Sequence, residues 1–378
     1  MIISNGILFC DDNVFRKMDI EARDGIIAAI GESAAAGEQE VFDAQGCYVV
    51  PGFVDIHIHG SAGADFSNGD AASLETIARF LPSVGVTSFL STSMSLSEEM
   101  LMTAFSTARA LVGRYVTGQA TVRGINMEGP FFNQAKRGAQ NEKYIIDPDF
   151  DMFARLFEAS GQSIRTVAMA PELPGGLDFI KRARSMTNVS VAHSSASYDA
   201  AKAAFDAGAT HVTHIFNGMS PFLHRDPGII GAAADSNATV ELICDGHHLH
   251  PSAVRAVFKM FGEDKVCLIS DAMEACGMSD GVYDLGGQKV IVSKGTAALE
   301  NGTIAGSAAT LHDCFRNAVK FGIPVEVALK AATINPAKAV GMDGEIGSLT
   351  RGKQADLLIL SKDFGIEKVM INGIWAKT

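Results

Sequence analysis

Hydrophobic and polar positions divide the chain into two β-patterned ends and an alternating middle. Residues 1–50 carry short apolar runs broken by Asn5-Gly6 and Asp24-Gly25, and residues 345–378 repeat the style with ADLLILS, KVMI and Asn372-Gly373. Such dipeptides tolerate positive φ and mark hairpins. Matching ends predict one small β-sandwich domain built from both termini, residues 1–50 and 345–378.

The middle, residues 51–344, changes period. Apolar runs recur at 47–60, 86–92, 122–130, 163–172, 189–196, 211–218, 239–246 and 266–272. Between most of them lie alanine-rich amphipathic segments such as SLETIARFLPSVG, MFARLFEASG and SYDAAKAAFDAG, which end at glycine as helices do. The fold class predicted is α/β, a closed (β/α)8 TIM-type barrel carrying the chemistry. A doubly wound open sheet is the alternative, but it usually has fewer strands.

Barrels of this kind place their active sites at the C-terminal strand ends. The last polar positions of the runs are His57 and His59, then Glu128, Glu172, His193, His214, Asp245 and Asp271, with nothing titratable on the second run. A lone histidine there would read as a hydrogen-bonded core residue. A His-x-His pair together with further His, Glu and Asp on separate strand ends reads as a metal centre. By the strand period His57 and His59 share a face. The same parity groups Val189 and Val191 with His193, Cys267 and Ile269 with Asp271, and Val212 with His214. It turns His211 away toward the helices and excludes it as a ligand. Imidazole and carboxylate suit Zn2+, Fe2+, Mn2+ or Co2+. The ligands suffice for one or two divalent ions: His57 and His59 with Asp271, His193 with His214, and Glu128 between them. Asp55 shares the parity of His57 and is a candidate for orienting its ring.

Anion chemistry forms a second group. Asn217-Gly218, in the loop IFNGMSPFLHRDPG, offers backbone amides where no side chain blocks approach, and Arg225 brings a guanidinium fork. His248 lies in the next loop, CDGHHLHP. Lys136 and Arg137 read as solvent-facing.

Composition narrows the partners. Thirty-one Lys+Arg against 43 Asp+Glu leave a net charge of −12, which excludes nucleic acid and an anionic membrane surface as partners. No run approaches the roughly 18 apolar residues of a membrane helix. The start, MIISNGILFCDDNVF, lacks the basic region of a signal peptide. The six cysteines show no Cys-x-x-Cys pair and read as reduced thiols. These features predict a cytoplasmic protein.

PGFVDIHIHG, NMEGPFF, HIFNGMSPFLHRDPG, CDGHHLHP, SDAMEACG, AGSAATLHD and GSLTRGKQADLLIL together resemble the amidohydrolase superfamily over nearly the whole chain. Within it, MEGPF with HxxNGM and the following R-x-P-G resemble the branch that deacetylates phosphorylated amino sugars. The resemblance implies hydrolysis of the acetamide of N-acetylglucosamine 6-phosphate, with N-acetylgalactosamine 6-phosphate as the alternative. It implies that Glu128, His193 and His214 bind the principal metal and that Asp271 is the catalytic acid–base. Asn217, Gly218 and Arg225 would hold the phosphate, and His248 would contact the sugar or its acetamide. It also implies a homodimer, with Arg225 a candidate for the partner protomer's site. Many two-metal relatives place a carboxylated lysine on strand four; here that strand ends Met169-Ala170-Pro171-Glu172. Where many members have a histidine after EGPF, this chain has Gln140, an amide that can bind substrate but cannot carry a proton. A cyclic-amide hydrolase is disfavoured by the missing lysine, and a non-catalytic scaffold by the retained ligands. Segment 274–306, with Gly286-Gly287 and Asn301-Gly302, is a hairpin that either covers the site or decorates the surface.

Overall fold

The computed structural model describes residues 1–31 and 40–377. Eight strands form a parallel sheet in chain order: Phe53–Ile58, Val86–Thr92, Thr121–Glu128, Ile164–Met169, Asn188–Val191, His211–Val212, Thr239–Ile243 and Val266–Ile269. Every residue of the first three is buried, as expected of a sheet with helices on one face and a packed interior on the other. The ring closes where the first strand meets the eighth. Asp271 N donates to His57 O and His59 N to Ala272 O, each at 2.9 Å.

The amphipathic segments become helices whose polar ends are capped. Phe150–Ala159 starts at Asp149 and Tyr198–Ala207 starts at Ser197, whose side chains accept from the backbone amides of Met152 and Ala200. Leu311–Lys320 carries a reciprocal capping box between Thr310 and Asp313. Toward the strand starts, Val54, Ile56, Leu90, Cys267 and Ile269 pack against Val340, Met342 and Ile346.

Strands from both termini pair in a second sheet. Leu357–Leu360 runs antiparallel to Tyr48–Pro51, which pairs with Ile2–Phe9, so the chain's two ends share one layer. This layer has its own core around Ile3, Leu8, Ile20, Val49, Leu357, Ile359 and Met370. Asp24-Gly25 and Asn372-Gly373 turn hairpins, with both residues of each pair at positive φ. Asn5-Gly6 does not turn a hairpin. It lies inside the strand Ile2–Phe9 at a register irregularity, and the positive φ of Asn5 serves a bulge.

The segment 274–306 contains a three-stranded antiparallel sheet, Gly281–Leu285, Gln288–Ser293 and Thr296–Leu299. It covers the barrel mouth: Leu285, Thr303 and Ile304 line the cavity there, and the Gln288 amide donates to Ala139 O. Among the described residues, no helix is long and apolar enough to cross a membrane. All six cysteines are free.

Arg123 ties the barrel to the terminal sheet. Its Nε donates to Ser88 Oγ at 3.0 Å, and its guanidinium lies 3.6 Å from the buried Asp356 carboxylate. Breaking a buried pair strands one charge and typically costs ~3–5 kcal/mol. Arg123→Ala should lower the unfolding midpoint by a loss of that size, and adding Asp356→Asn should recover much of it. Denaturant unfolding of the three proteins measures both.

Candidate metal centre

The strand ends bring His57, His59, Glu128, His193, His214 and Asp271 together. His193 Nε2 and His214 Nε2 lie 3.3 and 3.0 Å from Glu128 Oε1, and 3.1 Å from each other. His59 Nε2 is 3.5 Å from Glu128 Oε2 and 3.2 Å from Asp271 Oδ1. His57 Nε2 is 3.6 Å from Glu128 and 3.5 Å from Asp271. Two groups therefore have the spacing to hold a cation, His57–His59–Glu128 and Glu128–His193–His214, and they share Glu128. The sharing follows from chain geometry. Glu128 ends the third strand and opposes both His-x-His on the first and the histidines after the fifth and sixth.

The backbone turns three of these residues toward the mouth. His193, His214 and Asp271 have φ of 43°, 28° and 47°, a region that non-glycine residues rarely occupy. Strand parity alone therefore does not place them. Val189 and Val191 belong to the apolar cluster of the surrounding helices, with Phe179, Ile180 and Ala204. His193 reaches the opposite side because the chain reverses its twist at that residue.

Parity also fails at His211, which points into the barrel. Its Nε2 lies 3.2 Å from Glu241 Oε1, while Val212 joins the helix-facing cluster. The left-handed backbone at His214 breaks the alternation that had turned His211 away. Asp55 does not orient the His57 ring. The first strand is irregular between Asp55 and Ile58, so the two side chains part. Asp55 Oδ2 accepts from Ser270 Oγ at 2.6 Å, and burial pushes its carboxyl up to about 6 against the hydrogen bonds from Ser270 and His57 N. The ring partner of His57 is Glu241, 2.9 Å from Nδ1. Sequence reasoning missed this residue. Its signal was a single acid within the aliphatic strand TVELI, which in a buried strand demands a partner.

The donor chemistry fits a divalent cation. His57 Nε2 is buried, has no hydrogen-bond partner and faces two carboxylates. Burial resists charge on Glu128, yet His57, His193 and His214 hold its carboxyl well below the usual range. Asp271 is likewise held down by His57 and His59 against its burial. Burial also resists protonation of His57, but Glu241, Glu128 and Asp271 push it up to about 10. The site's field calls for positive charge.

A cavity of 290 Å³ opens onto the cluster. It is lined by His59, Glu128, His193, His214 and Asp271, and also by Gln140, Asn217, Gly218 and His248. Gly218 is required twice over: its φ is +61°, and a Cβ would stand 2.8 Å from His193 Nδ1. The amide of Asn217 is already committed, donating to His214 O at 3.0 Å, so it is not the open donor expected of this loop. Gln140 Oε1 accepts from Ser95 N at 2.7 Å, which orients its Nε2 to donate to Glu128 Oε2 at 2.6 Å. His248 Nδ1 pairs with Asp245 Oδ2 at 2.8 Å. Glu172 binds Asn133, Ser194 and Ser195 and knits the loops together, outside the cluster. Lys136 is half-buried, contrary to expectation; its Nζ donates to Met219 O and its carbonyl meets His193 Nδ1. Arg225 is exposed and does not line the cavity, and no Lys or Arg lines it.

The fold, the shared carboxylate and the histidine pairs fit a hydrolase barrel with a divalent-metal site, and the chain belongs to the amidohydrolase family, matching it over residues 48–376. Among its curated relatives, an N-acetylglucosamine-6-phosphate deacetylase from Lysinibacillus sphaericus is 36% identical over 352 residues, 92% of this chain and 90% of that protein. An N-acetylgalactosamine-6-phosphate deacetylase from Escherichia coli O157:H7 is 34% identical over 355 residues, 93% of this chain and 92% of that one. The crystal structure of N-acetylglucosamine-6-phosphate deacetylase from Pasteurella multocida superposes with a TM-score of 0.94 at 30% identity, covering 100% of this chain and 99% of that one.

Because Glu128 belongs to both groups, its loss should weaken both. Metal analysis of the purified protein should find a divalent cation, and Glu128→Ala should lose it while remaining folded. Full metal content in the folded variant would separate Glu128 from the centre.

Proposed function

We propose that the protein hydrolyses the acetamide of N-acetylglucosamine 6-phosphate, giving glucosamine 6-phosphate and acetate. The observation that carries this reading is the sharing of Glu128 between two histidine pairs with Asp271 beside them, at the floor of a cavity partly lined by residues of the 274–306 segment. Relatives bearing that name across most of their length support the substrate class.

In this reading His57, His59, Glu128, His193, His214 and Asp271 hold two divalent ions, drawn from Zn2+, Fe2+, Mn2+ or Co2+. Bound there, such ions would supply Lewis acidity and lower the pKa of a coordinated water to near 7. Asp271 is kept ionised by His57 and His59 despite its burial, so it can accept the proton of the attacking water. It returns that proton to the nitrogen, which cannot leave as an anion. His248, its Nδ1–H donated to the Asp245 carboxylate, keeps Nε2 as an acceptor for a sugar hydroxyl or the acetamide N–H of the substrate. Gln140 spends its carbonyl on Ser95 and one amide hydrogen on Glu128, which leaves the second hydrogen for a substrate oxygen.

Gly218 is left to meet the phosphate, with Asn217 beside it in the cavity lining, and neither brings charge. Arg225 supplies it. It stands exposed on its loop beside Phe222 and Leu223, which are 43% and 52% exposed. In the homodimer we propose, this loop enters the partner's site. A phosphorylated substrate does not cross membranes unaided, which supports the reading of a cytoplasmic enzyme.

Acetate release from both N-acetylated sugar phosphates tests the reading, and kcat/KM should be higher for the glucosamine substrate. A preference for the galactosamine epimer would transfer the assignment to the other deacetylase. Asp271→Asn should lower kcat by about 10²–10⁴-fold while metal and substrate remain bound. Wild-type turnover in that variant would end the role given to Asp271. Arg225→Ala should raise KM with a much smaller change in kcat.

A further inference from the structure

Glu241 lies beneath the site with no measurable exposure. It sits midway along the seventh strand and receives three donors. His57 Nδ1 approaches Oε2 at 2.9 Å, His214 N approaches the same oxygen at 3.2 Å, and His211 Nε2 approaches Oε1 at 3.2 Å. His211 is held in turn by the hydroxyl of Thr239, its register partner on the neighbouring strand. An ionised carboxylate only accepts, so each nitrogen facing it must carry a hydrogen. That settles the tautomer of His57 as Nδ1–H. The lone pair of a neutral ring is then on Nε2, the buried nitrogen that has no hydrogen-bond partner and faces Glu128 and Asp271.

The four histidines of the cluster are not backed alike. His59 Nδ1 meets the carbonyl of Thr92 at 3.2 Å, and His193 Nδ1 meets that of Lys136 at 2.8 Å. His214 Nδ1 is buried without a partner. Only His57 has a carboxylate behind it. Burying a carboxylate costs several kcal/mol unless it is fully engaged, and a plain packing role would be met by an apolar residue.

We propose that Glu241, braced by His211, is a positioning residue for one of the two ions: it fixes His57 with Nε2 directed at the cation it shares with His59, and strengthens that ligand. The inference rests on the metal-centre reading. It assigns Glu241 to the ring of His57; on the Glu128–His193–His214 side Glu241 reaches only the backbone amide of His214 and no ligand ring.

Zn2+ titration of the chelator-stripped protein by calorimetry, with metal content by mass spectrometry, tests this. The wild type should take up two ions. Glu241→Gln should weaken one of them by about 10–100-fold and leave the other within threefold, as loss of an outer partner to a metal histidine does. His211→Gln keeps the carboxylate, removes its brace, and should weaken the same ion by less; it replaces the first variant should Glu241→Gln not fold. Two wild-type affinities in the variant, or equal loss at both sites, would overturn the inference. A wild type that takes up no divalent cation would instead sink the metal reading itself.

Discussion

Everything at the mouth depends on closure of the ring between the first strand and the eighth. The bonds from Asp271 N to His57 O and from His59 N to Ala272 O join the two strand ends that carry those side chains. They bring Asp271 to within 3.5 Å of both histidines, although more than two hundred residues intervene. An open sheet would leave the first and eighth strands at opposite edges and scatter the same residues. Closure also concentrates like charge. Glu128 and Asp271 face one space, and Glu241 lies just beneath it. That arrangement holds only if positive charge enters. The field registers this directly, lowering the carboxyls and raising His57, His59 and His214 despite their burial. Protons and divalent cations compete for the same nitrogens.

The substrate side obeys a different constraint. The chain is acidic, with a net charge of −12, and its cavity offers no Lys or Arg. A phosphate entering that field needs local positive charge to align it, and binding energy spent there can orient the distant amide. Placing the guanidinium on an exposed loop beside two exposed apolar side chains resolves the conflict only if another surface meets that loop. The dimer proposed above meets that need: the apolar residues would be buried at the interface while the charge reached the neighbouring cavity. The segment 274–306 does complementary work by narrowing the opening with Leu285, Thr303 and Ile304.

Much of the fold was legible because its signals are local and repeated. Eight apolar runs alternating with helical segments ending at glycine, and hairpin dipeptides at Asp24-Gly25 and Asn372-Gly373, depend on neighbours only a few residues away. The cluster was legible because histidines and acids are conspicuous at strand ends. Illegible were the features set by departures from regularity. Asn5-Gly6 looks like a turn and is a bulge. Asp55 and His57 look co-facial until a strand irregularity parts them. His211 looks outward because period-two counting assumes an unbroken strand. Glu241 went unread because one acid in TVELI has meaning only once its three donors, from three separate parts of the chain, are known.

The same irregularities bear on how such a site is built. A regular strand alternates its side chains between core and helices, so it presents few polar groups to the mouth. Reversing the backbone at the last residue adds one more. His193, His214 and Asp271 all lie at positive φ, where non-glycine residues typically store of order 1–3 kcal/mol each. Residues chosen for stability alone at these positions would be glycine or asparagine, which adopt this region most readily. An imidazole or a catalytic carboxylate held there, on three different strands, implies that the surrounding bonds over-determine the backbone. The Gly218 carbonyl receiving Ser194 N, the Asp271 amide closing the ring, and Glu241 gripping His214 N are those bonds. The strain is thus balanced by the same network that orients the ligands, so rigidity at the mouth and chemistry at the mouth have one physical origin.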